Sequence, residues 1–355
     1  MPWGDPAVTR LRRQADRSIT YATGVNNPIT LEHVGLLKRL RLIFRATATV
    51  AAGDSRDAQG PWNVFSNILI RVSGLDLLYQ VSGWGLYLIN LVNQKLYAPD
   101  VNDIVVSNAA TTAELFNFPA PGAVAEALVF SLDLPFTLPL LGFEDLGLWL
   151  IQNETVNMEV VATFAGATGA SKLLQPYVGG GATTITAGHA DIWRDFFGVP
   201  QNPADMPPLG YVHQWEEQFD SITGSQVDIA HQRGGILTRL IYQVCDAAAG
   251  ATLPVGLANA DLTGLEFKFD ANDTPFDEDV FAVLARQREL YGHDLPQGVF
   301  THDFFLDTQD LRNTYNTENY INLKTRFRFG KSLAAGSFIR TIRERLLPVV
   351  VNTAG

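Results

Sequence analysis

Runs in which apolar and polar side chains alternate dominate this chain. Residues 127–137 set Leu128, Phe130, Leu132, Leu134 and Phe136 against Val129, Ser131 and Asp133, the two-residue period of a strand with one buried face. Residues 36–50 alternate less strictly, with Lys38, Leu40, Leu42 and Phe44 against Arg39, Arg41, Ile43 and Arg45. That pattern predicts a long strand with one face only partly buried. Shorter strands are expected over 18–22, 29–34, 65–72, 147–152 and 155–165, and later over 211–219 and 226–231.

Three-and-four spacing is scarcer. Leu88, Leu91, Val92 and Leu96 predict a helix over 84–96. The run VFAVLARQREL predicts a second, with Asp277, Glu278 and Asp279 at the positive end of its dipole. A third is expected over 337–347, SFIRTIRERLL, ended by Pro348, and a short one over 190–198. Residues 1–17 are expected to form an amphipathic arm, with Val8, Leu11 and Ala15 on one face and Arg10, Arg12, Arg13 and Arg17 on the others. Polar or weakly patterned stretches at 53–61 and 101–121 are expected as loops.

The pattern of the first half returns in the second. Leu37-Lys38-Arg39-Leu40 aligns with Leu237-Thr238-Arg239-Leu240 at an offset of 200. Lys95-Leu96-Tyr97 aligns with Glu289-Leu290-Tyr291 at 194, and Phe130-Ser131-Leu132-Asp133 with Phe304-Phe305-Leu306-Asp307 at 174. Asn157-Met158-Glu159-Val160 aligns with Asn322-Leu323-Lys324-Thr325 at 165. The matches keep their order while the offset shrinks, as in a duplicated domain whose second copy has shorter loops.

Many strands, Gly, Pro and Asn turns and few helices indicate an antiparallel sandwich, and about eight strands per copy is the number of a jelly roll. The expected fold is therefore all-β, two tandem eight-stranded antiparallel jelly rolls with a few short helices. The expected division is a basic arm over 1–17, a first jelly roll over 18–166 and a connector with surface loop over 167–208. A second jelly roll follows over 209–333, then a C-terminal helix and tail over 334–355.

The 355 residues, 46% hydrophobic and 18% charged, suit two globular domains. A single cysteine, Cys245, lies in an apolar run and is expected as a buried thiol without a disulfide. The N-terminus carries no apolar signal core, and no apolar run reaches the roughly 18 residues of a membrane span, which predicts a soluble chain made in a cytoplasm. The net charge of −11 is unevenly placed. Residues 1–45 carry eight basic against three acidic side chains, and residues 324–355 carry seven against one. The ends are basic and the body acidic, so a face shared by the two ends would attract polyanions.

Motifs for chemistry are weak. His213-x-x-Glu216 lies in a strand-like context and His302-Asp303 would point to opposite faces, so no metal site is expected. Glu216, Glu217 and the Asp277-Glu278-Asp279 block could supply carboxylate pairs, but helix capping accounts for the block. Gly179-Gly180-Gly181 lacks the following Lys-Ser/Thr of a phosphate loop. Trp62 and Trp84 are expected as core or interface anchors. No enzyme activity and no cofactor are expected.

The segments Val34-Gly35-Leu36-Leu37-Lys38, Gly60-Pro61, the apolar run 67–72 and Ser82-Gly83-Trp84 resemble successive elements of the major capsid proteins of tectiviruses, as does Leu295-Pro296-Gln297-Gly298-Val299. The middle connector and loops depart from that family. The resemblance implies two tandem jelly rolls in a major capsid protein of an icosahedral virus with an internal membrane. It also implies a homotrimeric, pseudo-hexagonal capsomer with lattice neighbours, penton and minor capsid proteins, and a place in the virion capsid after assembly in the host cytoplasm. With both termini at the capsomer base, Arg10, Arg12, Arg13, Arg17, Arg340, Arg343 and Arg345 would line the inner face against the viral membrane or neighbouring proteins. No direct sequence-specific nucleic-acid binding is expected. The alternatives are a glycan-binding or glycan-active tandem jelly-roll protein and a viral spike protein.

Overall fold

A computed structural model describes residues 10–348 apart from 73–74, 94–115, 123, 141–142, 153–156, 170–173, 181, 203–204, 208, 248–254, 271–272 and 306–310. The start of the expected arm, the Lys95-Leu96-Tyr97 match and the apolar tail after Pro348 lie outside them. The chain divides into two compact units, Met1–His213 with Val349–Gly355, and Gln214–Pro348.

The first unit is built on eight main strands. These are β1 (Leu11–Thr20), β2 (Asn26–Thr30), β3 (Leu36–Thr49), β4 (Phe65–Val72), β5 (Leu75–Val81), β6 (Ala125–Pro135), β7 (Met158–Phe164) and β8 (Thr184–Phe197). One sheet runs β1-β8-β3-β6 and the other β2-β7-β4-β5, every neighbour antiparallel. Chain neighbours β1 and β2, or β3 and β4, lie in different sheets. This interleaving is the jelly-roll path. The alternation in β3 puts Leu40, Leu42 and Phe44 inside. Phe44 meets Phe130 of the same sheet at 5.2 Å between ring centroids, and Phe65 and Phe164 of the opposite sheet at 5.8 and 6.0 Å. Helix α1 (Gly83–Val92) is buried nearly all round, and the Ser82 side chain caps it by accepting from the Gly85 amide at 3.0 Å.

The second unit repeats the path with two very long strands. They are β9 (Tyr211–Ala230), which belongs to this unit from Gln214 onward, and β14 (Leu323–Pro348). Between them come β10 (Ile236–Asp246), β11 (Leu262–Phe269), β12 (Asp273–Glu278), helix α2 (Val280–Tyr291) and β13 (Val299–Asp303). The first part of β14 pairs with β11, which pairs with β12. Its second part pairs with β10, which pairs with β13. Gly336, at φ +94, lies between the two parts, so one uninterrupted strand serves both sheets. Gly224, within the other long strand β9, is likewise left-handed at φ +88. Phe267, Phe304, Phe327 and Tyr242 fill the space between the sheets.

A pair of glycines marks the duplication. Gly35, before β3, and Gly235, before β10, both have left-handed φ, +69 and +74. A side chain at Gly35 would overlap the carbonyl oxygen of Phe197, and one at Gly235 that of Leu346. Each carbonyl belongs to the strand that pairs with the following element, β8 or the second part of β14.

Three local expectations differ from the structure. Residues 11–17 continue as strand β1, because the backbone of β8 is available to pair with them. Residues 190–198, expected as a short helix within a connector, fall mainly in β8, an integral strand between β1 and β3. Residues 337–347, expected as a helix, are the second part of β14. Their three-and-four apolar spacing coexists with burial on both faces, carboxylates on β9 take up the arginines, and Arg239 of β10 faces Glu344. Those partners lie far away in sequence, so tertiary pairing overrides the local helical pattern.

Candidate assembly surface

Strand β1 carries the N-terminal arginines along an outer edge. It pairs with β8 on one side and ends the sheet on the other. Of its ten residues only Ile19 is buried. Arg13 is bound into the sheet: its Nε donates to Asp195 Oδ1 at 2.7 Å and its Nη2 to Oδ2 at 3.1 Å. Asp195 also accepts from Arg39 Nε at 2.6 Å. Arg39 donates on to Asp133 at 2.9 Å, and Arg41 donates to the same carboxylate at 2.7 Å. A chain of ion pairs thus crosses β1, β8, β3 and β6. Burial of Asp195 opposes its ionisation, but the hydrogen bonds from Arg13 and Arg39 outweigh it and hold its carboxyl below the usual range.

Asp16 faces inward instead. Its Oδ2 lies 3.0 Å from Nε of the fully buried Arg194, whose Nη2 donates to Glu32 at 2.8 Å. These contacts fasten the middle of β1. Arg10, Arg12 and Arg17 are exposed and have no ion-pair partner among the described residues.

The C-terminal arginines are placed differently. Arg340, Arg343 and Arg345 retain only 2%, 1% and 6% exposure. Arg340 Nε lies 2.9 Å from Glu217 Oε1, and its guanidinium sits 4.8 Å from the Phe219 ring centroid. Arg345 donates to Gln214 at 2.9 Å and Glu216 at 3.0 Å. Arg343 donates to Gln218, to the Ala230 carbonyl at 3.3 Å and to His231 Nδ1 at 3.4 Å. Burial lowers the pKa of both Arg343 and Arg345, with Glu216 acting against it. These three arginines therefore join β14 to β9 inside the second unit. Read as a sequence, a basic C-terminus looks available; Glu216 and Glu217, more than a hundred residues earlier, are what take it up.

The residues considered for chemistry also have structural partners. Asp277 binds Arg328 at 2.5 Å and Glu278 binds Arg286 at 2.7 Å. Asp279 caps α2 by accepting from the Ala282 amide at 2.9 Å. His213 and Glu216 lie on strand β9. His302 and Asp303 point to opposite faces of β13. Asp303 binds Arg239 at 2.6 Å and accepts from the Tyr291 hydroxyl at 3.1 Å. His302 lies in an aromatic box, 5.9 Å from Tyr242, 5.5 Å from Phe267 and 5.6 Å from Phe276. Neither of its ring nitrogens has a hydrogen-bond partner among the described residues. Trp62 stacks on Tyr87 at 3.8 Å and meets Trp84 at 5.8 Å in the core of the first unit. Among the described residues no group of three or more His, Cys, Asp or Glu side chains is arranged to hold a metal ion.

No family model and no curated protein matches the sequence. Solved structures do match, over nearly their whole length. The major capsid protein of Sulfolobus turreted icosahedral virus, STIV, superimposes with a TM-score of 0.67 at 14% identity, covering 96% of this chain and 97% of that one. This chain has the double jelly-roll fold of viral major capsid proteins. The PBCV-1 virus capsid structure matches with a TM-score of 0.62 at 10% identity, covering 95% and 93%. The major capsid protein P2 of bacteriophage PM2 matches with 0.58 at 11% identity, covering 97% and 99%.

Proposed function

We propose that this protein is the major capsid protein of an icosahedral virus, and that three copies form a pseudo-hexagonal capsomer. The observation that carries this reading is the end-to-end match of both barrels to major capsid proteins, over 96% of this chain and 97% of the STIV protein. Two barrels of one topology in each subunit give a threefold ring six similar sides, which suits a lattice built from hexagonal blocks. As an obligate interface, the trimer contact would bury about 2,000 Å² or more. Its partners are copies of itself, lattice neighbours, penton and minor capsid proteins, and an internal viral membrane. Its place is the virion capsid, assembled in the host cytoplasm, and its role is structural rather than enzymatic.

Of the arginines expected at the inner face, Arg10, Arg12 and Arg17 are the ones with charge to offer. We assign them, with Arg13, to contacts with anionic lipid, an internal protein or a neighbouring capsomer. Each Lys or Arg near an anionic membrane is worth about 1 kcal/mol. The interior pairing of Arg340, Arg343 and Arg345 supports a role for them in holding β14 in place within the inner-face region. A net charge of −11 opposes non-specific adsorption to nucleic acid.

Light scattering on the purified protein tests the assembly reading. A trimer is expected at micromolar concentration, and a monomer there would overturn it. Electron microscopy of particles then separates a capsid lattice from a slender spike, and glycan turnover would point to an enzyme.

A further inference from the structure

Side chains on both faces of strand β1 reach solvent, whereas β3 buries alternate residues along its whole length. Its ladder to β8 occupies one edge over Leu11–Thr20, with one irregularity between Ala15 and Ser18. Among the described residues no strand pairs with the other edge. In an antiparallel pair alternate residues turn their amide and carbonyl groups outward, so the free edge offers about half of its N–H and C=O groups to a newcomer.

The side chains along this edge have a definite chemistry. Arg10, Arg12 and Arg17 are exposed without acidic partners among the described residues, and the Arg13 side chain, though paired with Asp195, remains 51% exposed. Two acids beside the strand are committed, Asp16 to Arg194 and Asp195 to Arg13 and Arg39. Leu11, 50% exposed, adds an apolar contact at the start of the strand. The edge is also held in place rather than loose, because Asp16 anchors it to buried Arg194 and Arg13 joins the ion-pair chain across the sheet. A strand that is rigid, open along its backbone and positively charged suits an extended polypeptide better than a fluid surface.

We propose that β1 is a docking edge for an acidic, extended protein segment, which adds to the sheet by backbone pairing and sets its carboxylates against Arg10, Arg12 and Arg17. This names one partner class for the arginines assigned above to the inner face. It rests on the assembly reading for the partner's setting, not for the edge geometry. Light scattering on the protein alone therefore tests trimer formation independently of the measurement below.

The probe is a fluorescent ten-residue peptide alternating Glu with Val and Thr, titrated into the full-length purified protein. Saturable binding is expected, with slowed amide exchange within residues 11–20. Arg12→Glu with Arg17→Glu should weaken it at least tenfold while leaving the unfolding midpoint unchanged. The same peptide N-methylated at alternate residues should lose binding, because its backbone can no longer pair. Equal binding of the methylated peptide, or of a peptide with Lys in place of Glu, would overturn the proposal. So would absence of saturable binding with protection at β1. Binding to vesicles containing phosphatidylserine, with no peptide binding, would assign the arginines to lipid instead. If Arg12→Gln with Arg17→Gln makes the protein self-associate through β1 and the acidic peptide does not bind the parent, the charges only guard the edge against aggregation.

Discussion

Arg39 and Arg239 occupy the same place in their two barrels. Arg39 pairs across β3 and β8 with Asp195, and Arg239 pairs across β10 and β14 with Glu344. Each also binds an aspartate on the strand at its other side: Arg39 reaches Asp133 at 2.9 Å, and Arg239 reaches Asp303 at 2.6 Å. The two are 200 residues apart, the offset at which the Leu-x-Arg-Leu motifs align, whereas the counterpart of Asp133 in space is Asp303, four residues before the Asp307 expected from the sequence alignment. What differs is the surroundings. The Arg39 side chain is 23% exposed, and that of Arg239 is 1% exposed.

That difference predicts unequal costs. Arg239→Ala leaves Asp303 and Glu344 buried without their cation, and is expected to destabilise the protein by about 3–5 kcal/mol. Arg39→Ala leaves Asp195 still paired with Arg13 and Asp133 with Arg41, and should cost less, about 1–2 kcal/mol. Urea unfolding of the two variants measures both. Equal costs would mean that burial does not set the weight of the motif.

Acid should weaken the protein through two core histidines. His231 and His302 are held neutral by burial, with Arg343 adding to the effect at His231, and Arg286 and His231 adding to it at His302. His231 also accepts from Arg343 and meets Thr325 Oγ1 at 2.8 Å, while His302 is ringed by Tyr242, Phe267 and Phe276. Both folded pKa values lie below the unfolded value of about 6.5. Stability is therefore full above about pH 6.5 and falls below it, as the unfolded chain takes up protons the folded one refuses. The limiting slope is about 1.4 kcal/mol per pH unit for each histidine. His302→Phe, which suits the aromatic box, should roughly halve the slope in urea midpoints measured from pH 7 to 5. An unchanged slope would remove His302 from the account.

The paired glycines make a test of equivalence. Gly35→Ala and Gly235→Ala each force a left-handed backbone on a side chain and drive a methyl group into a facing carbonyl. Each is expected to cost at least about 1–2 kcal/mol, seen as a lower thermal midpoint. A neutral result at either site would show that its turn relaxes freely.

Helix capping gives a smaller effect. Ser82→Ala removes the acceptor for Gly85, and Asp279→Ala removes that for Ala282. Each should cost about 1 kcal/mol in chemical unfolding. A loss well beyond this at Asp279 would point to a role beyond the cap.

The duplication, the all-β class and the two main helices were legible in the residues. Strand alternation and helix caps are local signals, and a repeated motif keeps its spacing whatever the chain does between copies. Even the half-covered face of β3 could be read from its arginines. The fate of charge could not. Arg12 and Arg340 look alike in a list of basic residues, yet one stands on an open edge and the other lies buried against Glu217. Residues 337–347 likewise carry helical spacing, and only β9 and β10 on either side make them a strand. Sequence determined which segments alternate, which turn and which repeat, because those properties depend on near neighbours. Tertiary structure decided which charges are spent and which edge remains open, because the carboxylates and backbone groups that settle it come from strands a hundred or more residues away.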